Sequence, residues 1–289
     1  MSERTRVDTN AVAWENGLSV LRAMAPEFRA NLGPEDQVEQ LYAKYNQKTL
    51  RIDVPTSRRI DLIRIDAGYR DLTNAYHDSV EECLVLEGEL DLDGEGHFEA
   101  GDYFWRPPGF VHAADTPNGF TALLSLQGDN IDEGSGPTSR RIRPDAEAGA
   151  NALFPTDPDR AMGPRGWVRR LPTSLVAWQP GPVYARREGI CQGFDLDRVN
   201  FKPLSKNPWT GSQTTLVELQ PGYHQIGDGR FSAALEFFVI EGACEIGGEG
   251  YGTGVYGYVP ADSVQPPLTS SQGATLFVKV DGWLERLPA

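Results

Sequence analysis

The residues of this chain that could do chemistry are few, and they lie in two short patterns. Only four histidines occur among the 289 residues. His77 precedes Glu81 by four positions, and His112 closes the pattern G-x5-P-x-G-x2-H that begins at Gly101. Because imidazole and carboxylate groups bind divalent metals and transfer protons, we expect any chemistry at these two patterns.

The three cysteines carry no comparable signal. Cys83, Cys191 and Cys244 are far apart and form no C-x-x-C motif, so the sequence indicates neither a disulfide framework nor a thiolate zinc site. Cys83 and Cys244 lie in apolar, strand-like runs, where a free cysteine is commonly buried. We expect both as small core residues.

An internal repeat organises the elements that must position the histidines. Two long segments align without a gap; both begin with Gly-Tyr and end with Glu-Gly, and Glu82 in the first is matched by Glu236 in the second. The matching pairs of segments are 12–14 and 176–178, 68–88 and 222–242, and 101–107 and 254–260. The chain is therefore predicted to contain two copies of one structural unit.

Strand signals within each copy are short and closely spaced. Apolar runs such as 83–86, 103–105 and 121–126 are separated by clusters of Gly, Pro, Asp and Asn. This spacing is typical of a sandwich or barrel, and the second copy repeats it. We predict an all-β fold of two similar barrels in tandem.

The first copy is longer than the second between its Val-Ala-Trp and Gly-Tyr motifs, and residues 34–47 supply the extra length. This insert has apolar residues at Val38, Leu41, Tyr42 and Tyr45, which is the stripe of a short amphipathic helix. We expect the helix to cap an edge or end of a sheet, with a dimer contact or an active-site lid as alternatives.

Domain boundaries follow from a change in composition. The stretch 130–165 is rich in Gly, Pro, Asp and Arg without periodicity, as linkers are. The prediction is an N-terminal domain at 1–135, a linker at 136–165 and a C-terminal domain at 166–289.

Net charge restricts the partners. The formal charge is −14 and the isoelectric point is about 4.8, so the protein repels phosphate backbones and anionic lipid surfaces. No run of 18 apolar residues occurs, and the N-terminus lacks the apolar core of a secretory signal. We predict a cytoplasmic protein that binds a small-molecule substrate, with neither nucleic acid nor membrane as partner.

The two patterns resemble the motifs of the cupin superfamily, G-x5-HxH-x3,4-E-x6-G and G-x5-PxG-x2-H. His77-x3-Glu81-x6-Gly88 matches the end of the first motif, and the pattern that ends at His112 matches the second without deviation. Cupins are small jelly-roll barrels in which these His and Glu residues bind a divalent metal. The resemblance implies a tandem bicupin with metal ligands His77, Glu81 and His112.

Finer features are similar to one group of cupins. The Glu-Gly-Glu that follows the first motif and the run Thr275–Lys279 resemble cupins related to the ChrR anti-sigma factor and to acetylacetone-cleaving dioxygenases. By that resemblance, cupin barrels also commonly pair, either as a homodimer or within one chain.

One residue departs from the cupin pattern. The first histidine of HxH would stand at position 75, where this chain has Ala75. The remaining two imidazoles and one carboxylate are the donor set of non-haem Fe(II) oxygenases, although Zn, Mn or Ni would accept the same donors. We expect one divalent metal per chain, with Fe(II) favoured. The alternative is a metal-free barrel in which His77 and Glu81 form hydrogen bonds in a polar interior.

The second copy has lost the motif. Phe231, Leu235 and Gln265 stand where His77, Glu81 and His112 stand in the first copy. We predict an apolar interior with a structural role or a small ligand bound without metal. The other two histidines, His97 and His224, are expected at the surface.

Candidates for contacting a substrate surround the motifs. Tyr76 is next to Ala75, while Tyr103 and Trp105 share one face of a strand and Arg106 lies on the other, so only one of these sets can face the metal. Tyr76, Tyr103, Trp105 and Arg106 are the predicted catalytic residues. The alternative is that the aromatic side chains merely fill the barrel.

Three classes of function remain open. The first is a metal-dependent enzyme, either a dioxygenase that cleaves or oxidises a diketone, hydroxyketone or enediol, or an isomerase, lyase or hydrolase that uses the metal as a Lewis acid. The second is a metal- or ligand-binding sensor module. The third, a storage protein, is disfavoured because the composition has no low-complexity or nitrogen-rich bias.

Overall fold

The computed structural model describes most of the chain. The described ranges are 4–24, 26–29, 32–53, 58–72, 74–77, 79–128, 140–142, 168–188, 193–207, 210–225, 229–282 and 284–288. Cys191 and most of the predicted linker, residues 136–139 and 143–165, lie outside them.

Helices are short and few in the described part of the chain. They are α1 (Gly17–Ala23), α2 (Pro26–Arg29), α3 (Glu35–Tyr42) and α4 (Gly181–Glu188), with one 3-10 turn at Thr173–Leu175. None of the described helices has the length and apolar character needed to span a bilayer.

Strands dominate the rest of the described residues. The first thirteen are β1 (Thr5–Asp8), β2 (Glu15–Asn16), β3 (Tyr45–Asp53), β4 (Arg58–Ile65), β5 (Tyr69–Arg70), β6 (Ala75–His77), β7 (Ser79–Leu92), β8 (Gly96–Glu99), β9 (Asp102–Arg106), β10 (Ala114–Thr116), β11 (Phe120–Gly128), β12 (Arg140–Ile142) and β13 (Val168–Pro172). The others are β14 (Gln179–Pro180), β15 (Val199–Lys206), β16 (Gln213–Leu219), β17 (Tyr223–Gln225), β18 (Gly229–Phe231), β19 (Leu235–Ile246), β20 (Glu249–Gly252), β21 (Val255–Val259), β22 (Val264–Gln265), β23 (Leu268–Ser270), β24 (Ala274–Val280) and β25 (Arg286–Pro288).

The chain divides into two compact units. One consists of Ala13–Pro172, which we call the first barrel, and the other combines Met1–Val12 with Thr173–Ala289, which we call the second barrel. Strands form most of each barrel, which confirms the predicted all-β tandem fold.

The division differs from the boundaries predicted at 1–135 and 166–289. Strand β1 pairs with β21 of the second barrel, and β13 pairs with β9 of the first. Strand β1 precedes the first copy in sequence but is an edge strand of the second barrel. Strand β13 precedes the second copy but is an edge strand of the first barrel. Strand β12, inside the predicted linker, pairs with β6. A repeat in sequence does not say which barrel the segment before each copy joins, so sequence comparison could not assign these two segments.

The two barrels share one strand order. The main sheet of the first barrel runs β13-β9-β7-β11-β4-β3-β2, and that of the second runs β1-β21-β19-β24-β16-β15-β14. All pairs along these two paths are antiparallel. The alignment of the two copies in sequence thus corresponds to an alignment of strands.

A glycine in each copy makes a close approach possible. Gly88 and Gly242 close the aligned Gly-Tyr to Glu-Gly segments and have φ angles of 76° and 79°. A Cβ atom on either glycine would collide with the backbone of the strand alongside, at Gly119 in the first barrel and Gly273 in the second. The glycine of the repeated Glu-Gly therefore reflects a backbone requirement.

The insert forms a helix, as predicted. Helix α3 spans Glu35–Tyr42, and its buried Val38 packs in an apolar cluster with Val20 and Leu21 of α1. The predicted stripe extends beyond the helix, because Tyr45 is already the first residue of strand β3. Pairing of β3 with β4 takes precedence over helical periodicity at that point.

The two described cysteines are core residues. Cys83 lies in the core of the first barrel and Cys244 in that of the second, both as free thiols. Burial raises the pKa of both thiols, that of Cys244 to about 12. Neither has the exposed, electropositive surroundings of a reactive cysteine.

Candidate metal centre

Strand pairing at one end of the first barrel brings the two motif segments together. Ala75 and His112 form an isolated antiparallel bridge, with N–H···O=C distances of 2.9 and 2.8 Å in the two directions. The Gly109 N–H donates to the His77 carbonyl at 2.8 Å, and Gly109 has a φ of 83°. The Pro-x-Gly of the second motif thus makes the turn that returns His112 to β6.

The three predicted ligands converge in this structure. The Nε2 atoms of His77 and His112 each lie 3.8 Å from a different carboxylate oxygen of Glu81. All three potential donor atoms lie within 4.8 Å of one another, and the side chains are buried. The imidazole rings face each other with centroids 5.4 Å apart.

This spacing fits a divalent metal. Two ligands that bind at about 2.1 Å and at right angles to each other are about 3.0 Å apart. Small rotations of the side chains would close the observed distances of 3.8 Å to that value. A nitrogen–nitrogen–oxygen set is also chemically suited to first-row metals.

A backbone contact orients one imidazole. His112 Nδ1 lies 3.1 Å from the carbonyl oxygen of Phe110, which can only accept a hydrogen bond. Nδ1 therefore carries the proton of the neutral ring, and Nε2 presents its lone pair towards Glu81. Such an outer contact fixes the tautomer that a metal needs.

Arg106 holds the carboxylate of Glu81 ionised. Its Nη1 donates to Glu81 Oε2 at 2.9 Å, and the guanidinium is almost fully buried. Burial alone would raise the pKa of Glu81, but His112, Arg106 and His77 together outweigh burial and lower that pKa to about 2. Glu81 is therefore an anionic donor over the whole physiological pH range.

A second acid, which no sequence pattern indicated, completes this network. Glu95 accepts from Arg106 through both carboxylate oxygens, at 2.5 and 3.2 Å, and its side chain is buried. It stands in the Gly-Glu-Gly turn between β7 and β8, a context in which an acid is usually exposed. Only the fold brings this turn to the β9 residue Arg106.

The predicted catalytic residues divide between two faces. Arg106 lies in the cavity wall beside Glu81, together with its face-mate Phe104. Tyr103 and Trp105 point to the opposite face of β9, because side chains alternate along a strand, and both are buried there. Tyr76 is half-buried and lies outside the cavity lining, beside the ligand His77 in sequence.

The face opposite the metal site contains a contact that both barrels share. The Tyr103 hydroxyl donates to Glu82 at 2.6 Å in the first barrel, and the Tyr256 hydroxyl donates to Glu236 at 2.7 Å in the second. All four side chains are buried. A contact that is present with and without the metal ligands is structural.

A cavity of about 130 Å³ adjoins the three ligands. Apolar side chains form much of its wall, and the polar residues, apart from the ligands and Arg106, are Tyr42, Tyr45, Gln47, Tyr69 and Asp71. Asp71 is fixed by the Tyr69 hydroxyl at 2.9 Å and the Ala114 N–H at 2.8 Å. Sequence patterns did not indicate these residues, because they lie on β3, on or directly after β5, and in the insert, away from both motifs.

Among the described residues, the equivalent wall of the second barrel carries apolar side chains. Phe231 and Leu235 line its interior cavity, as their alignment with His77 and Glu81 predicted. Gln265 pairs through its backbone with Gly229, while its side chain lies outside what the structure describes. Across the described ranges, the His77–Glu81–His112 group is the one cluster of potential metal donors.

The remaining two histidines are at the surface, as predicted. His97 is 42% exposed, and its Nδ1 lies 2.9 Å from Asp91, a hydrogen bond that raises the pKa of the ring. His224 is exposed on β17. Neither belongs to the metal centre.

The family assignment rests on both barrels. Residues 38–127 and 194–282 each match the ChrR cupin-like domain, and together they cover more than half of the chain. The chain belongs to the ChrR cupin-like domain family. A search of curated proteins found no match.

Solved structures with the same fold include three enzymes or candidate enzymes. A protein from Nostoc punctiforme described as a candidate dioxygenase has a TM-score of 0.67 at 17% identity, with 97% of this chain and 83% of that chain covered. A variant of salicylate 1,2-dioxygenase from Pseudoaminobacter salicylatoxidans, in complex with gentisate, has a TM-score of 0.51 at 17% identity, over 78% and 69%. A Bacillus subtilis oxalate decarboxylase variant has a TM-score of 0.50 at 15% identity, over 84% and 73%. At these identities the likeness establishes the fold alone.

Proposed function

We propose that this protein is a metal-dependent bicupin enzyme, a non-haem Fe(II)-type dioxygenase that cleaves or oxidises a small diketone, hydroxyketone or enediol. The observation that carries the proposal is the convergence of His77, Glu81 and His112 beside a cavity in the first barrel. Two imidazoles and one carboxylate leave coordination positions open for a substrate and for oxygen.

Ala75 leaves the site with one donor fewer than the cupin motif would supply. Its backbone bridge to His112 places the two residues directly opposite each other, so their side chains project to the same side of the ladder. An imidazole at position 75 would therefore stand beside the ligands, whereas Ala75 is fully buried and is not among the residues that line the cavity. When bound, the metal would supply Lewis acidity and, as Fe(II), oxygen activation.

The chain's own residues would prepare the site. His77, Glu81 and His112 would hold the metal, and Arg106 fixes one carboxylate oxygen of Glu81 so that the other stays available. Burial raises the pKa of Tyr45 above its usual range, so its hydroxyl remains protonated and can donate a hydrogen bond to a substrate oxygen. The apolar part of the wall excludes water from a reactive centre.

The comparisons support the proposal by analogy. Two of the structural neighbours have names that include a dioxygenase activity, which is said of those proteins. We also propose a cytoplasmic location and a small-molecule partner, since a charge of −14 opposes association with nucleic acid or anionic membranes. Association as a homodimer belongs to the same proposal.

Oxygen consumption tests the activity. Protein freed of metal by chelation is loaded anaerobically with Fe(II), and oxygen uptake is followed with a panel of diketones, hydroxyketones and enediols. We expect uptake with at least one substrate and no uptake in the His112→Ala variant at equal protein concentration. Tight metal binding without oxygen uptake on the whole panel would contradict a dioxygenase and favour a sensor or Lewis-acid role.

A further inference from the structure

The second barrel contains a cavity that the metal chemistry does not use. Its volume is about 150 Å³, similar to that of the cavity in the first barrel. Packed protein interiors leave few voids larger than a water molecule. The described residues of this barrel form no cluster of metal ligands, so the void has no role in metal binding.

The lining of this cavity is apolar and uncharged. None of the described residues that line it is Asp, Glu, Lys, Arg or His. The polar exceptions include Gln213, Tyr184 and Tyr223. The Tyr184 hydroxyl donates to Gln213 Oε1 at 3.5 Å, and the Tyr223 hydroxyl donates to Gln225 Oε1 at 3.4 Å. Such a wall offers a ligand dispersion contacts and no counter-charge.

Aromatic rings flank the void in two stacked pairs. Phe194 and Phe231 have centroids 5.7 Å apart with an interplanar angle of 13°, and Tyr184 and Phe201 have centroids 4.6 Å apart with an angle of 17°. All four residues line the cavity. Flat, polarisable surfaces of this kind favour contact with another ring or hydrocarbon.

We propose that the second barrel is a binding site for a small, uncharged, mainly hydrocarbon molecule about the size of a single aromatic ring. An apolar cavity of about 150 Å³ is large enough for benzene and does not stabilise water. A charged molecule is unfavourable, because its desolvation would not be offset by any ion pair. The proposal does not depend on metal in the first barrel.

Toluene titration by calorimetry, on chelator-treated protein, tests the site. We expect one toluene per chain, whereas benzoate, which differs mainly by its charge, does not bind in the second barrel. Absence of toluene binding, or equal binding of benzoate at this site, would overturn the proposal.

A matched pair of variants locates the toluene. Val278 lines the second cavity opposite Phe237, and Leu124 lines the first cavity at the equivalent position opposite Cys83. Val278→Phe fills the void, so it should weaken toluene binding by roughly tenfold or more, while Leu124→Phe should leave it unchanged. The reverse result would place toluene in the first barrel and contradict the proposal.

Xenon provides a measurement that needs no variant to fold. Crystals of the wild-type protein pressurised with xenon should contain a xenon atom between Phe231 and Leu276 in the second barrel, since apolar cavities bind this gas. Electron density without xenon in that cavity would overturn the proposal.

Discussion

The two barrels have the same framework and different interiors. Strand order, the glycine at 88 or 242 and the buried Tyr–Glu contact recur in both. Glu81 of the first barrel corresponds to Leu235 of the second. The first cavity has charged side chains set in a largely apolar wall, whereas the described lining of the second has none. The difference teaches that residues on one interior wall decide function, while the repeated contacts elsewhere specify the fold.

The difference also has an energetic side. The first barrel buries a chain of three charges, Glu81–Arg106–Glu95, whose desolvation is costly and is offset by their mutual attraction. The second barrel fills the same region with apolar side chains, which pack without that cost. We therefore expect the second barrel to tolerate a charge poorly and the first to lose metal readily when its charges are altered.

Among the proposed changes, Leu235→Glu is expected to have the largest effect, a loss of stability in the second barrel. The new carboxylate would face the apolar cavity beside the half-buried Phe231 without a cation, which should destabilise the second barrel by up to about 3 kcal/mol at neutral pH. Burial would raise the pKa of this carboxyl, so the loss should diminish as the pH falls through the raised value towards about 4.3, the value in an unfolded chain.

Urea unfolding of the Leu235→Glu variant at several pH values measures this loss. Leu235→Gln is the uncharged control, and it should lose less stability at neutral pH. A fully stable Leu235→Glu variant with an ionised carboxylate would refute the register between the barrels.

His112→Ala should remove metal binding from the first barrel. The variant deletes one of three donors, so metal affinity should fall by more than about 100-fold, beyond the usual effect of an outer-sphere contact. The fold should persist, because the side chain lies beside the cavity and outside the strand ladders. Elemental analysis checks the metal, and a variant with full metal content would contradict the ligand assignment.

Glu95→Gln should weaken metal binding less. Glu95 neutralises Arg106, and without it the guanidinium charge would act on Glu81 and the metal unopposed. We expect metal affinity to fall by roughly 10–100-fold while Glu81 stays in place. Metal titration measures the affinity of the Glu95→Gln variant. The control is Glu99→Gln, which removes the charge of an exposed acid on the adjoining strand β8. Equal affinities in the two variants would show that Glu95 has no role in the centre.

Acidification should release metal through the imidazoles. Glu81 keeps its charge down to a pH of about 2, whereas an imidazole ordinarily titrates near about 6.5 and must be neutral to bind metal. Metal content should therefore decrease as the pH falls from 7 to 5. Equilibrium dialysis measures this, and a midpoint in the carboxylate range would show that Glu81 limits binding.

Among the proposed changes, Ala75→His is expected to have the smallest effect, a gain in the metal affinity of the first barrel. The added imidazole would stand beside His112 and supply the histidine that the cupin motif normally has, so metal affinity should rise about tenfold. Oxygen uptake should fall if substrate uses the space beside position 75. Unchanged metal affinity in a folded variant would mean that residue 75 does not face the metal.

Sequence reasoning reached the repeat, the strands, the insert helix and the three converging ligands, because each has a local pattern. It could not decide whether Arg106 or Tyr103 faces the cavity. Alternation places the two side chains on opposite faces of β9 but does not say which face is towards the cavity. Sequence patterns could not indicate Glu95 for another reason. Its ion pair with Arg106 forms only because the turn between β7 and β8 folds against β9. The pairing of β1 with β21 and of β13 with β9 also depends on contacts between segments that are far apart in sequence.

Anomalous diffraction from crystals of the Fe(II)-loaded protein tests the division between the barrels most directly. Data collected at the iron absorption edge locate each metal without any assumption about its ligands. The account predicts one iron per chain, bound by His77, Glu81 and His112, and no peak between Phe231 and Leu235. Iron in the second barrel, or none at the three predicted ligands under saturating Fe(II), would contradict it.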